Sequence, residues 1–127
     1  MSIKRENKIY DLEDRTLNFS KKLISLINTL PKNQVNRRLA DQALRSGNSI
    51  GANYREANET ITLKDFKFRI RICKKEAKET MFWLKLIAEN NKFKSSEANL
   101  LSKESDEYVR IFATILKNSA CNERFKG

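Results

Sequence analysis

Glu76 and Glu79 stand about one helical turn apart, with Trp83 four residues beyond the second. Paired carboxylates of this kind can share a proton or hold a ligand when their surroundings are dry. A small-molecule pocket around Glu76, Glu79 and Trp83 is therefore one reading. Nearby Lys75, Lys78 and arginines favour ion pairing instead, because a half-buried charge is normally neutralised by a partner. Other catalytic chemistry has little to work with. The chain has no histidine, so it lacks an imidazole base and the Glu-x-x-His pairs that hold two metals inside helical bundles. Cys73 and Cys121 lie far apart with no CxxC, and no glycine-rich phosphate loop occurs. The expectation is a protein that is not an enzyme and needs no metal or cofactor.

A second constellation points to phosphate. Lys64, Lys67, Arg71, Lys74, Lys78 and Lys85 form a stripe at helical spacing, and Arg37, Arg38, Arg45 and Arg55 add charge upstream. Residues 60–91 hold eight Lys or Arg against four acids. Such a stripe is either a solvated face laced with Glu–Lys pairs or a binding surface for a polyanion, and the overall charge favours the second. Backbone contacts of this type carry no sequence preference and weaken with salt. The few aromatics near the stripe do not predict a base-stacking platform.

The third constellation is small and polar. Gln42, Ser46, Ser49, Asn53 and Glu56 repeat at three-four gaps, interleaved with Gly47, Ile50, Gly51 and Tyr54. A glycine inside a helix costs roughly 1 kcal/mol against alanine. Two of them four apart imply a compensating gain, most simply the close approach of another backbone. The polar residues then read as a structural hydrogen-bond network or a subunit contact.

The elements that position these groups are helices. Three Gly and one Pro in 127 residues exclude a many-turned β protein. The first helix is expected over about residues 11–29, with Ile9, Leu12, Thr16, Phe19, Leu23, Leu26 and Leu30 as its apolar seam. Leu17 and Ile24 widen that face, Asp11, Glu13 and Asp14 fill its first turns, and Leu30-Pro31 ends it. The second is expected over about residues 33–58, with a thin apolar face that includes Val35. The third runs over about 62–90 behind a Thr62–Asp65 capping box. Its seam is Leu63, Phe66, Ile70, Cys73, Ala77, Thr80, Leu84 and Ile87. The fourth covers about 96–119, capped by Ser95 or Ser96 and carrying Leu101, Tyr108, Ile111, Phe112, Ile115 and Leu116; the tail 120–127 frays. Short links make neighbouring helices antiparallel, so the predicted fold is all-α, a single up-down-up-down four-helix bundle.

Composition sets the class. A net charge of +10 and a pI near 9.8 suit nucleic acid, an anionic surface or an acidic protein. No apolar run approaches a membrane span and the N-terminus has no signal-like apolar region, so a cytoplasmic protein with reduced thiols is expected.

The stretch Leu44-Arg45-Ser46-Gly47-Asn48-Ser49-Ile50-Gly51-Ala52-Asn53-Tyr54-Arg55-Glu56-Ala57 resembles a bacterial family. So do Lys64-Asp65-Phe66 and Lys75-Glu76-Ala77-Lys78-Glu79-Thr80-Met81-Phe82-Trp83-Leu84. This is the family of four-helix bundle proteins encoded in intervening sequences of 23S ribosomal RNA genes (S23-type). It is related to the accessory variability proteins of diversity-generating retroelements. Asn48 stands where Thr or Ser is common. The resemblance implies a bundle that assembles through its long sides into a ring, typically a pentamer with a basic surface. It also implies nucleic-acid binding, with a reverse transcriptase as partner in the retroelement relatives. It brings no catalytic residues.

Apolar side chains off the seam carry the assembly expectation. Phe68, Ile72, Trp83 and Leu86 on the third helix, with Gly47, Ile50, Gly51 and Tyr54 on the second, are read as a subunit contact. The function expected is a non-enzymatic homo-oligomer that binds RNA or DNA backbone. The alternative is a structural or protein-interaction module without a nucleic-acid role.

Overall fold

The computed structural model describes residues 2–119, with side chains from Leu12 onward. Four helices follow in order: α1 Ser2–Asn28, α2 Gln34–Asn58, α3 Leu63–Asn90 and α4 Ser95–Asn118. A 3-10 turn, Lys92–Lys94, leads into α4, and no strand occurs among the described residues. The expectations for Ile9, Asp11, Cys121, the tail 120–127 and the side chains of the N-terminal residues lie outside what is described.

The helix ends follow local chemistry. Asn33 caps α2, its side chain accepting the Asn36 amide at 2.9 Å, and Thr62 caps α3 by accepting the Asp65 amide at 3.1 Å. Two expectations are corrected. First, α1 begins at Ser2, so Glu13 and Asp14 sit well inside the helix. Glu13 instead pairs with Arg55 at 3.2 Å and accepts from Asn58 Nδ2 at 2.8 Å. Second, neither Ser95 nor Ser96 caps α4, because the 3-10 turn runs straight into it and Ser95 is already helical.

The helices pack as a bundle around one core. The α3 seam is buried from Phe66 through Ile70, Cys73, Ala77, Thr80 and Leu84 to Ile87. From α1 come Thr16, Phe19, Leu23, Leu26 and Leu30, and from α2 Ala43, Ile50, Tyr54 and Ala57. Rings tie these helices to α4. Phe19 meets Tyr108 edge-on at 5.5 Å, and Tyr54 meets Phe112 at 5.9 Å. Leu17, Ile24 and Val35 do not join the core; all three face outward. A buried amide pair fixes one end of the bundle: Asn36 and Asn91 exchange hydrogen bonds at 2.9 and 3.0 Å, and Asn36 also donates to the Pro31 carbonyl at 2.9 Å.

Gly47 and Gly51 are where α2 meets α1. A Cβ on Gly47 would stand 2.4 Å from Leu23 Cδ2, and one on Gly51 would stand 2.8 Å from Thr16 Oγ1. The close approach inferred from these glycines is therefore within the chain. Gly47, Ile50, Gly51 and Tyr54 are all buried by the chain's own helices, which corrects their assignment to a subunit surface.

Candidate nucleic-acid interface

The face of α3 turned toward α4 is basic because its side chains sit one position past the buried seam. Arg71, Lys74, Lys75 and Lys78 converge there on an open groove of about 420 Å³, with Leu116 of α4 as its apolar wall. None of the four pairs with a carboxylate among the described residues. A cluster of uncompensated cations costs self-repulsion and is relieved by an anion that bridges them. Lys64, Lys67 and Lys85 extend the same side of the helix, Lys64 and Lys85 exposed and Lys67 half-buried. Lys75 was missed by the stripe read from sequence, although it lies four residues from Arg71 and three from Lys78.

The structure separates the other arginines from this groove. Arg37 is exposed beside Ile27, Asn28, Leu30 and Pro31, at the turn between α1 and α2. Arg38 is exposed on α2 and does not line the groove. Arg45 is already engaged: it reaches Glu76 Oε2 at 3.1 Å, contacts Glu79 and hydrogen-bonds Gln42 at 3.2 Å. Its role is to neutralise two carboxylates, so its assignment to phosphate is corrected.

The same contacts decide what Glu76 and Glu79 do. Glu76 is 6% exposed. Trp83 Nε1 donates to Glu79 Oε2 at 3.0 Å. With Arg45 between them, the carboxylates form a closed polar cluster rather than an open ligand pocket. Beneath it the Thr80 hydroxyl meets Ser46 Oγ at 2.8 Å and the Glu76 carbonyl at 2.7 Å. Further along, Arg69 donates to Asn53 Oδ1 at 3.1 Å, while Asn53 Nδ2 bonds Ser49. The polar face of α2 is thus a hydrogen-bond network between α2 and α3. Glu56 stays exposed.

Cys73 is buried, its thiol donating to the Ile50 carbonyl at 3.5 Å. Burial pushes the thiol up to about 12, so it is not a nucleophile near neutrality. No cluster of His, Cys, Asp and Glu able to hold a metal exists among the described residues. No described helix is long and apolar enough to cross a membrane.

On α3, the side chains expected at a subunit contact divide. Phe68 and Leu86 are exposed, whereas Ile72 and Trp83 are half-buried, Trp83 beside Glu79. Phe82, which sequence reasoning left unassigned, is also exposed and touches Trp83 edge-on at 4.9 Å.

Among solved structures, a protein of unknown function from the S23 ribosomal protein family of Bacteroides thetaiotaomicron is similar. It is 32% identical, with a TM-score of 0.71 over 83% of this chain and 97% of that one. No curated protein matches. The family described as 23S rRNA-intervening sequence protein matches residues 8–114, a span that reaches into all four helices, and the chain belongs to that family.

Proposed function

We propose that the protein binds the phosphate backbone of nucleic acid and catalyses no reaction. The observation that carries this reading is the groove where Arg71, Lys74, Lys75 and Lys78 meet without a carboxylate among the described residues. Lys64, Lys67 and Lys85 lengthen the contact. The net charge of +10 supplies long-range attraction. The family's name refers to 23S rRNA intervening sequences, so structured RNA is the first probe to try. A reverse transcriptase or an rRNA-associated element is the corresponding partner.

The assembly proposed with it is an up-down-up-down bundle closed into a homo-oligomeric ring, a pentamer in the family it resembles. Glu13 near Asn58, Asn36 near Asn91, and Thr29 lining one groove with Glu97 support antiparallel neighbours. Exposed Leu86 beside half-buried Trp83, with half-buried Ile72 further along α3, is the surface a neighbouring subunit would cover. A ring would repeat the basic groove around its axis and raise affinity by multivalency.

The test is a salt titration of binding to structured RNA, duplex DNA and a neutral polymer. Affinity should fall steeply with salt, and changing Lys67, Arg71, Lys74 and Lys78 together to Gln should flatten the slope by up to about 3 to 4 on a logarithmic plot. Unchanged binding in a variant of full helicity would leave the protein-interaction reading, which the exposed Phe82 and Leu86 favour.

A further inference from the structure

The outermost line of α3 takes in three of the groove cations, Arg71, Lys75 and Lys78, and adds two rings that the sequence did not mark as a stacking platform. Lys64, Phe68, Arg71, Lys75, Lys78, Phe82 and Lys85 follow one another at gaps of four and three, which places them on one helical face. All seven are exposed, Phe68 by 56% and Phe82 by 55%. No acid interrupts the line until Glu89, which Lys92 holds at 2.8 Å. Five cations and two bare aromatic rings therefore share one surface. Water solvates the cations well and the rings poorly, so the face is incomplete as a solvated one.

We infer that this face is a track for single-stranded nucleic acid, with Phe68 and Phe82 stacking on bases while the cations between and beside them hold phosphates. The inference rests on the backbone-binding reading and deepens it by naming the strand state. A duplex keeps its base faces stacked inside, so it could use the cations but not the rings. A single strand offers phosphates and flat apolar faces in alternation, which is the chemistry this line repeats. The rings are fourteen residues apart, about 21 Å along the helix axis. That span corresponds to about six nucleotides at a stacked spacing of about 3.4 Å, and to fewer in a stretched strand. Each ring also has a neighbour that orients it. The Arg69 guanidinium lies 5.9 Å from the Phe68 centroid, and Trp83 packs edge-on against Phe82.

A second copy of the chain fits this face less well. A two-fold contact through it would set like charges against each other. A different surface of the neighbour would need a row of free acids, yet many of the chain's acids already have partners. Glu76 and Glu79 hold Arg45, Glu104 and Glu107 hold Arg15, Glu13 holds Arg55 and Asp106 holds Arg110.

The experiment compares wild type, Phe68→Ala/Phe82→Ala and Phe68→Tyr/Phe82→Tyr. The probes are labelled twelve-residue oligo-U, a mixed-sequence duplex and phosphatidylserine vesicles, with oligomeric mass read by light scattering. The expected result is a loss of about 10-fold or more per ring on oligo-U in the alanine variant, with recovery in the tyrosine variant. Duplex affinity, salt slope and oligomeric mass should all stay as in wild type. Equal losses on duplex and oligo-U, no loss on oligo-U, a changed mass, or ring-dependent binding to vesicles alone would each overturn the track. Wild type that binds neither nucleic acid would overturn the backbone-binding reading itself, and the track with it. Wild type that binds both probes with no effect of the rings would remove the track alone.

Discussion

Gly51 shows how much one missing methyl can decide. An alanine there would gain about 1 kcal/mol of helix propensity. Its Cβ would also stand 2.8 Å from Thr16 Oγ1, which is held by the Leu12 and Glu13 carbonyls, and 3.0 Å from Thr16 Cβ, which cannot move without moving α1. Overpacking of this kind costs about 1 to 3 kcal/mol and should win. Gly51→Ala is therefore expected to lower the unfolding free energy by up to about 2 kcal/mol, measured by urea denaturation. Gly47→Ala meets the end of the Leu23 side chain instead, which can change rotamer, so its loss should be smaller. A finding that both variants are more stable than wild type would mean that α1 stands further from α2. Because Gly51 is an internal contact, a bulky substitution there reports on folding before it reports on assembly.

At the scale of the helix, α3 carries three chemistries on one cylinder. Its seam is apolar, its α4 side is basic, and its α2 side holds Glu76, Glu79 and Trp83 against Arg45. The seam was legible because three-four spacing of large apolar residues has one meaning in a helix of this length. The Thr62 cap was legible for the same local reason. The target of Gly47 and Gly51 was not, since a glycine pair marks a close approach without saying which helix approaches. Nor was the engagement of Arg45, which depends on the register between α2 and α3. That register sets up a test by paired substitution. Arg45→Met leaves Glu76 buried and uncompensated and should cost about 1 to 3 kcal/mol, discounted because Arg45 itself is half exposed. Adding Glu76→Gln should recover much of that loss, since a neutral amide needs no counter-charge. Losses that simply add would mean that the pair is too well solvated to couple the helices.

For the whole molecule, the seam between α1 and α4 joins packing to pH. Phe19 against Tyr108 is its apolar part. Its polar part is the Tyr108 hydroxyl, 2.5 Å from Glu104 Oε2 and 3.2 Å from the Arg15 carbonyl, with the Arg15 guanidinium over the ring at 4.9 Å. Burial first, then the hydrogen bond to Glu104, push the Tyr108 hydroxyl well above its ordinary range, and burial pushes Cys73 up to about 12 from 9.0. Both groups bind protons more tightly in the folded chain than in the unfolded one. The stability each contributes is present in full below its unfolded value and is lost as pH rises toward the folded value. Unfolding free energy should therefore start to fall near pH 9 through Cys73, and faster above pH 10 through Tyr108, by about 1.4 kcal/mol per pH unit for each fully coupled group. Other effects of alkali on a chain of net charge +10 are common to wild type and to variants that lack one of these two groups. The contribution of the buried protons separates by substitution, because Tyr108→Phe and Cys73→Ala each remove one of these groups and leave every other charge. Denaturation between pH 8 and 11.5 should give wild type a steeper fall than either variant. Parallel curves would mean that neither buried proton is coupled to folding.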